Sequence, residues 1–105
     1  MKIYEIYYAD LDGIGSEQTG LRPCIIVSNN LNNLHSPTVT IIPVTSQCKS
    51  HIPTHCKIEC LPKSSIAMAE QIRTIDKTRI VTYITTLKPK EIEDLKQCIK
   101  IQLTL

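Results

Sequence analysis

Tryptophan and phenylalanine are absent from this 105-residue chain, and glycine occurs only three times. The core must therefore be built from Ile, Val, Leu and a few Tyr, and that β-branched bias favours strands over helices. No apolar run approaches the length needed to span a membrane. The formal charge of +2 is too small to imply nucleic-acid binding by bulk electrostatics, although a short basic surface remains possible. Met1-Lys2 leads directly into an alternating segment broken by Asp10 and Asp12, with no signal-peptide pattern, so the expected location is the cytosol. There the five cysteines are expected to be reduced thiols, and their odd number argues against a disulfide framework. No repeat, low-complexity tract or linker interrupts the chain, and its length suits one domain.

The apolar pattern is that of short strands. Ile3 to Ala9 alternates, Cys24 to Ser28 is a continuous apolar run, and Thr38 to Val44 is rich in β-branched residues. Pro43 suggests that this third strand lies at an edge or carries a bulge. Thr54 to Cys60, Ser65 to Glu70 and Ile80 to Leu87 read as further strands. Asp10 to Leu21, with all three glycines, reads as a long loop, and loops of this length in small domains are usually functional. Asn29 to Pro37 is turn-like with room for one helical turn. Arg73 to Arg79 is polar, with a helical turn after Asp76. Pro89 begins a helix whose Ile92, Leu95, Ile99 and Leu103 form one apolar stripe, read as core packing. Glu91, Glu93 and Asp94 near its start and Lys96 and Lys100 further on suit the helix dipole. The expected fold is mainly β with a C-terminal helix, a small SH3-like barrel.

Polar residues gather at the strand ends: Ser16-Glu17-Gln18, then Arg22, then Thr45-Ser46-Gln47, and finally Glu70-Gln71 with Arg73 and Asp76. Arg22 is the most telling of them. A guanidinium fixed on a strand presents a permanent charge and a planar fork suited to phosphate. Thr45 has a hydroxyl that can donate to the same group. Glu70 and Glu17 are carboxylates able to accept a proton.

These segments resemble the MazF/PemK family of toxin endoribonucleases. The matching pieces are Ala9-Asp10-Leu11, Gly15-Ser16-Glu17-Gln18, Gly20-Leu21-Arg22-Pro23, Val27-Ser28-Asn29, His35-Ser36-Pro37-Thr38, Pro43-Val44-Thr45-Ser46-Gln47, Pro53-Thr54-His55 and the run Glu70-Gln71-Ile72-Arg73-Thr74-Ile75-Asp76-Lys77. The resemblance covers nearly the whole chain. It implies a homodimer of the CcdB/MazF/PemK-like toxin fold that cuts single-stranded RNA without a metal or other cofactor. The ribose 2′-hydroxyl would attack the adjacent phosphate, leaving a 2′,3′-cyclic phosphate or 3′-phosphate and a 5′-hydroxyl. It also implies a cognate, MazE-like antitoxin whose C-terminal segment fills the RNA groove. On this resemblance Arg22, Thr45 and Glu70 are the expected catalytic residues, and Ser16, Glu17, Gln18, Ser46, Gln47, His55, Gln71 and Arg73 the expected RNA contacts. The chain departs from the family at two places. Met68 stands where one branch has an arginine, and Thr19-Gly20 replaces the usual Gly-Gly before Arg22.

Other readings compete. Cys48, His51, His55, Cys56 and Cys60 could suggest zinc. On a strand, however, Cys56 and Cys60 would lie roughly 13 Å apart at about 3.3 Å per residue, too far for one ion. His35 and His55 could form an acid–base pair, although their positions beside turn signals favour a surface or RNA-edge role. Glu70 could simply pair with Arg73 or Arg79. The gyrase-poisoning CcdB proteins share the barrel and act through protein binding, which is the alternative function.

Overall fold

The structure is a computed structural model that describes residues 1–47 and 51–105. Its elements are β1 (Glu5–Leu11), β2 (Gly20–Ile26), α1 (Asn30–His35), β3 (Thr38–Thr45), β4 (His55–Ile58), β5 (Ser65–Met68), β6 (Arg73–Asp76), β7 (Ile80–Thr86) and α2 (Pro89–Leu103). Single 3-10 turns lie at Ala69–Gln71 and Lys77–Arg79. The seven strands pair antiparallel in the order β4-β5-β3-β2-β1-β7, with β6 also on β3. Among the described residues no ladder joins β4 to β7, so the sheet bends like a barrel without closing.

β3 is the hub. One side pairs with β2 through Ile41–Pro43. The other side pairs first with β6, through Thr38–Ile41, and then with β5, through Val44 and Thr45. The expectation that Pro43 marks an edge strand is therefore corrected: β3 is interior. Ile42 and Pro43 fall where β3 passes from β6 to β5, a gap in which a missing N–H breaks no ladder on that side.

Because side chains alternate along a strand, the central strands bury both faces. Ile25, Ile42 and Val44 point to one side, with Ile6, Ala67, and Leu95 and Cys98 of α2. Cys24, Ile26, Val39 and Ile41 point to the other, with Ala9, Leu11 and Ile75. Two register shifts of β1 against β7, at Ile6/Tyr7 and Tyr8/Ala9, are irregularities of the kind that sharpen twist and bend. Burial pushes the thiols of Cys24 and Cys56 up to about 12, so they remain protonated packing groups. The reading of Cys56 and Cys60 as packing residues agrees with their place in the cluster beneath α2. Cys48 lies outside the described residues, and His51 is exposed.

Several boundaries differ from the sequence reading. The loop expected over 10–21 is shorter, because β1 runs to Leu11 and β2 begins at Gly20. Arg73–Asp76, read as polar and not as a strand, is a strand whose single buried residue is Ile75. The α2 stripe is core at Leu95 and partly so at Ile92 and Ile99, but Leu103 is 48% exposed, where the helix passes beyond the core.

Glu91 joins α2 to the sheet. Its carboxylate accepts the N–H of Lys88 (2.9 Å), capping the helix, and those of Glu59 (2.7 Å) and Cys60 (3.1 Å), beyond β4. Burial pushes this carboxyl up, but the backbone donors outweigh burial and hold it below its ordinary value. Glu91 therefore stabilises the native state above the ordinary value of 4.5, and that contribution is lost as pH falls through the lowered folded value. Urea unfolding should show wild type losing stability through this acid range, while Glu91→Gln starts lower at neutral pH and has a flatter profile. Leu95→Ala should cost about 2–5 kcal/mol in the same measurement.

Candidate active site

Arg22 is the third residue of β2 and Thr45 the last of β3. The paired register Cys24↔Pro43, Ile25↔Ile42, Ile26↔Ile41, continued by two residues, sets Arg22 opposite Thr45. Both line one groove of about 450 Å³, with Ser46, Lys63 and Ser65 as its other polar members. Tyr8, Leu21, Pro23, Leu61, Pro62 and Ile84 supply apolar wall. Among the described residues the lining carries two cations and no carboxylate.

Arg22 Nε donates to the carbonyl of Thr19 at 3.0 Å. Among the described residues no carboxylate pairs with Arg22, whereas Arg73 and Arg79 both have acidic partners. Its two terminal nitrogens thus stay open to a ligand while the third fixes the plane of the fork. Thr45 Oγ1 accepts the N–H of Gln47 at 3.2 Å, which leaves the hydroxyl hydrogen to donate. Ser46 and Gln47 are exposed just beyond the strand. Two cations and a hydroxyl donor suit an anion with several oxygens.

A second cavity of about 210 Å³ is lined by Glu17, Glu70, Gln71, Ile72 and Arg73. The loop that runs from β1 to β2 is strapped beside it. Gln71 Oε1 accepts the N–H of Gln18 (2.8 Å), and its Nε2 donates to the carbonyl of Ser16 (3.2 Å). Arg73 donates to the carbonyls of Asp12 (2.6 Å) and Gln18 (2.8 Å) and lies 3.6 Å from the carboxylate of Glu17. Asp12 is tied further to Arg79, whose hydrogen bond and charge hold its carboxyl below the usual carboxylate range. The loop folds tightly on itself: a Cβ at Gly13 would lie 2.7 Å from Cβ of Glu17. Gly20, at φ +78°, makes the left-handed turn into β2. Among the described residues, Arg73 Nε and Gln18 Oε1 are buried without a hydrogen-bond partner, at a cost of about 1–3 kcal/mol each.

Glu70 pairs with neither Arg73 nor Arg79. Its Oε2 lies 2.7 Å from His55 Nε2, and its Oε1 accepts the hydroxyl of Thr54 at 3.2 Å. The 3-10 turn is thereby joined to the start of β4. His35 is the exposed last residue of α1, on a different element from His55. The expected site residues therefore form two groups. Arg22, Thr45 and Ser46 meet at the large groove, while Glu70, Gln71 and Arg73 meet Ser16, Glu17 and Gln18 at the smaller cavity. The Gln18-Thr19 segment connects them. Sequence reasoning missed Tyr8, Leu21, Leu61, Pro62, Lys63 and Ile84. Of these only Lys63, a cation in a turn after a strand, carried any signal.

With this geometry in hand, comparison with known proteins is informative. The model of the family described as PemK-like, MazF-like toxin of type II toxin-antitoxin system matches residues 2–103. The endoribonuclease MazF of Staphylococcus saprophyticus is 40% identical over 111 residues, covering 100% of this chain and 92% of that protein. The endoribonuclease EndoA of Bacillus subtilis is 36% identical over 107 residues, covering 96% and 92%. A mycobacterial endoribonuclease solved in complex with its cognate antitoxin superposes with a TM-score of 0.85 at 25% identity, covering 100% of this chain and 96% of that one. MazF of Deinococcus radiodurans, at 19% identity, shares the fold with a TM-score of 0.88, covering 100% and 97%. The staphylococcal, Bacillus and mycobacterial relatives are named as endoribonucleases, and none favours the CcdB-like alternative. The chain belongs to the PemK-like, MazF-like toxins of type II toxin-antitoxin systems, a family of endoribonucleases.

Proposed function

We propose that the groove between Arg22 and Thr45 binds the scissile phosphodiester of single-stranded RNA and promotes attack by the neighbouring 2′-hydroxyl. The products are a 2′,3′-cyclic phosphate, or the 3′-phosphate from its hydrolysis, and a 5′-hydroxyl. The observation that carries this reading is the open guanidinium: Arg22 is held by one N–H to Thr19, faces no carboxylate, and shares a groove with the Thr45 hydroxyl.

The chemistry asks for little else. The nucleophile belongs to the substrate, so the protein needs no activated serine or cysteine. In-line attack builds negative charge on the non-bridging oxygens. Preorganised donors that meet this charge lower the barrier without reorganisation. Arg22 supplies two such donors and a full charge, and Thr45 supplies a third. Arginine stays protonated at neutral pH, so Arg22 acts as a stabiliser and not as the base. A permanent cation can do the work of a metal here, and the reaction is metal-independent. Lys63 and the apolar wall provide for the neighbouring phosphate and the base faces, since single strands are held by charge and stacking. Glu70, fixed by His55 and Thr54, shapes the smaller cavity.

The partners follow from the same family. The mycobacterial relative was solved with its cognate antitoxin. By analogy, an antitoxin segment covers the Arg22 groove here, and two copies of the chain form the active dimer. Among the described residues no helix is long and apolar enough to cross a membrane. By analogy with the family, the activity is placed in the cytoplasm, with mRNA as substrate.

Arg22→Ala should reduce single-turnover cleavage by about 100- to 1,000-fold with unchanged circular dichroism. Arg22→Lys should recover only part, because the planar fork is lost. Cleavage should persist in EDTA and leave 5′ ends that polynucleotide kinase labels without prior phosphatase. Near-wild-type rates for Arg22→Ala, or 5′-phosphate ends, would refute the assignment.

A further inference from the structure

Resting on that reading of Arg22, we propose that Gln71 and Arg73 are positioning residues for the Arg22 guanidinium, acting through the backbone of the β1–β2 loop. Among the described residues, the Arg22 guanidinium is oriented by one protein hydrogen bond, from its Nε to the carbonyl of Thr19. The residue before that carbonyl is clamped on both sides. Gln71 accepts the N–H of Gln18, and Arg73 donates to the carbonyl of Gln18. Peptide planarity leaves only the torsions of Thr19 between this clamp and the acceptor that orients Arg22. Gly20, at φ +78°, follows as the turn into β2. The clamp has a rigid base: Arg73 pairs with Ile41 of β3, the strand that ends in Thr45. One strand thus carries the hydroxyl donor and, through β6, the support that aims the cation.

Both side chains already donate to loop carbonyls. Gln71 Nε2 reaches Ser16, and the two terminal nitrogens of Arg73 reach Asp12 and Gln18. A residue committed in this way serves RNA by holding the loop and not by direct contact. Losing the clamp frees Thr19 to turn its carbonyl, and Arg22 then samples orientations unsuited to the phosphate. Misplacement of a catalytic group by about 1 Å can cost about 100-fold in rate.

Two measurements on the full chain test this. In RNA-free protein, Arg73→Ala and Gln71→Ala should speed amide exchange at Gln18 by about tenfold or more, with exchange in β2 and β3 unchanged. In cleavage assays both should lower kcat by about 10- to 100-fold and leave KM within about threefold. Arg73→Lys, which keeps the charge and can still donate to one of the two carbonyls, should recover part of kcat. Gly13→Ala offers an independent route, because its methyl would strike Glu17 Cβ at 2.7 Å without altering either clamp residue; it should show the same loss of kcat. A loss expressed in KM with kcat retained would mean direct RNA contact and overturn the proposal. Unchanged Gln18 exchange in Arg73→Ala and Gln71→Ala would also overturn it. If wild type cuts no RNA, the endoribonuclease reading fails, and the clamp is then judged on exchange alone.

Discussion

The site depends on one hydrogen bond that is made and several that are not. Arg22 spends one N–H on the Thr19 carbonyl and keeps its remaining donors for a ligand. An arginine with no intramolecular contact would be too mobile to stabilise a transition state. One locked in a bidentate pair with a carboxylate would have nothing left to offer. The fold achieves the intermediate condition by keeping acids off the groove wall and directing them to other partners. Glu17 lies near Arg73, Asp12 pairs with Arg79, and Glu70 faces His55.

That distribution follows from the architecture. β3 is long enough to serve three neighbours, and its residues commit to β6, β2 and β5 in turn. Thr45 emerges at its end, opposite Arg22 by strand register. The same strand supports β6, from which Arg73 reaches the β1–β2 loop. On the other face of the sheet, Leu95 and Cys98 of α2 seal the core. The buried Glu91 fixes the helix to the backbone beyond β4 by accepting the N–H groups of Glu59 and Cys60, and caps the helix by accepting that of Lys88.

Much of this was legible in the sequence, for identifiable reasons. The strands around Cys24–Ile26 and Thr38–Val44 are apolar on both faces, a pattern that survives without any tertiary information. Arg22 stood out as a guanidinium beside a polar loop at a strand end, whereas Thr45 stood out mainly through the family resemblance. β6 was hidden because only Ile75 of Arg73–Asp76 is buried, so its pairing with β3 decides its conformation more than its composition does. The loop clamp was hidden for another reason: Gln71 and Gln18 are 53 residues apart, and no local rule pairs them. The same holds for His55 with Glu70, which leaves both poised to shape a cavity and not to pair with the nearby arginines.

The most direct test of the central claim is a crystal structure of the chain with RNA bearing a single 2′-deoxyribose at the cleaved position, so that the bound strand stays intact. The account predicts the scissile phosphate in the large groove, its non-bridging oxygens within hydrogen-bond distance of the terminal nitrogens of Arg22 and of Thr45 Oγ1. A scissile phosphate lodged instead beside Arg73, with Arg22 turned away from the strand, would contradict it.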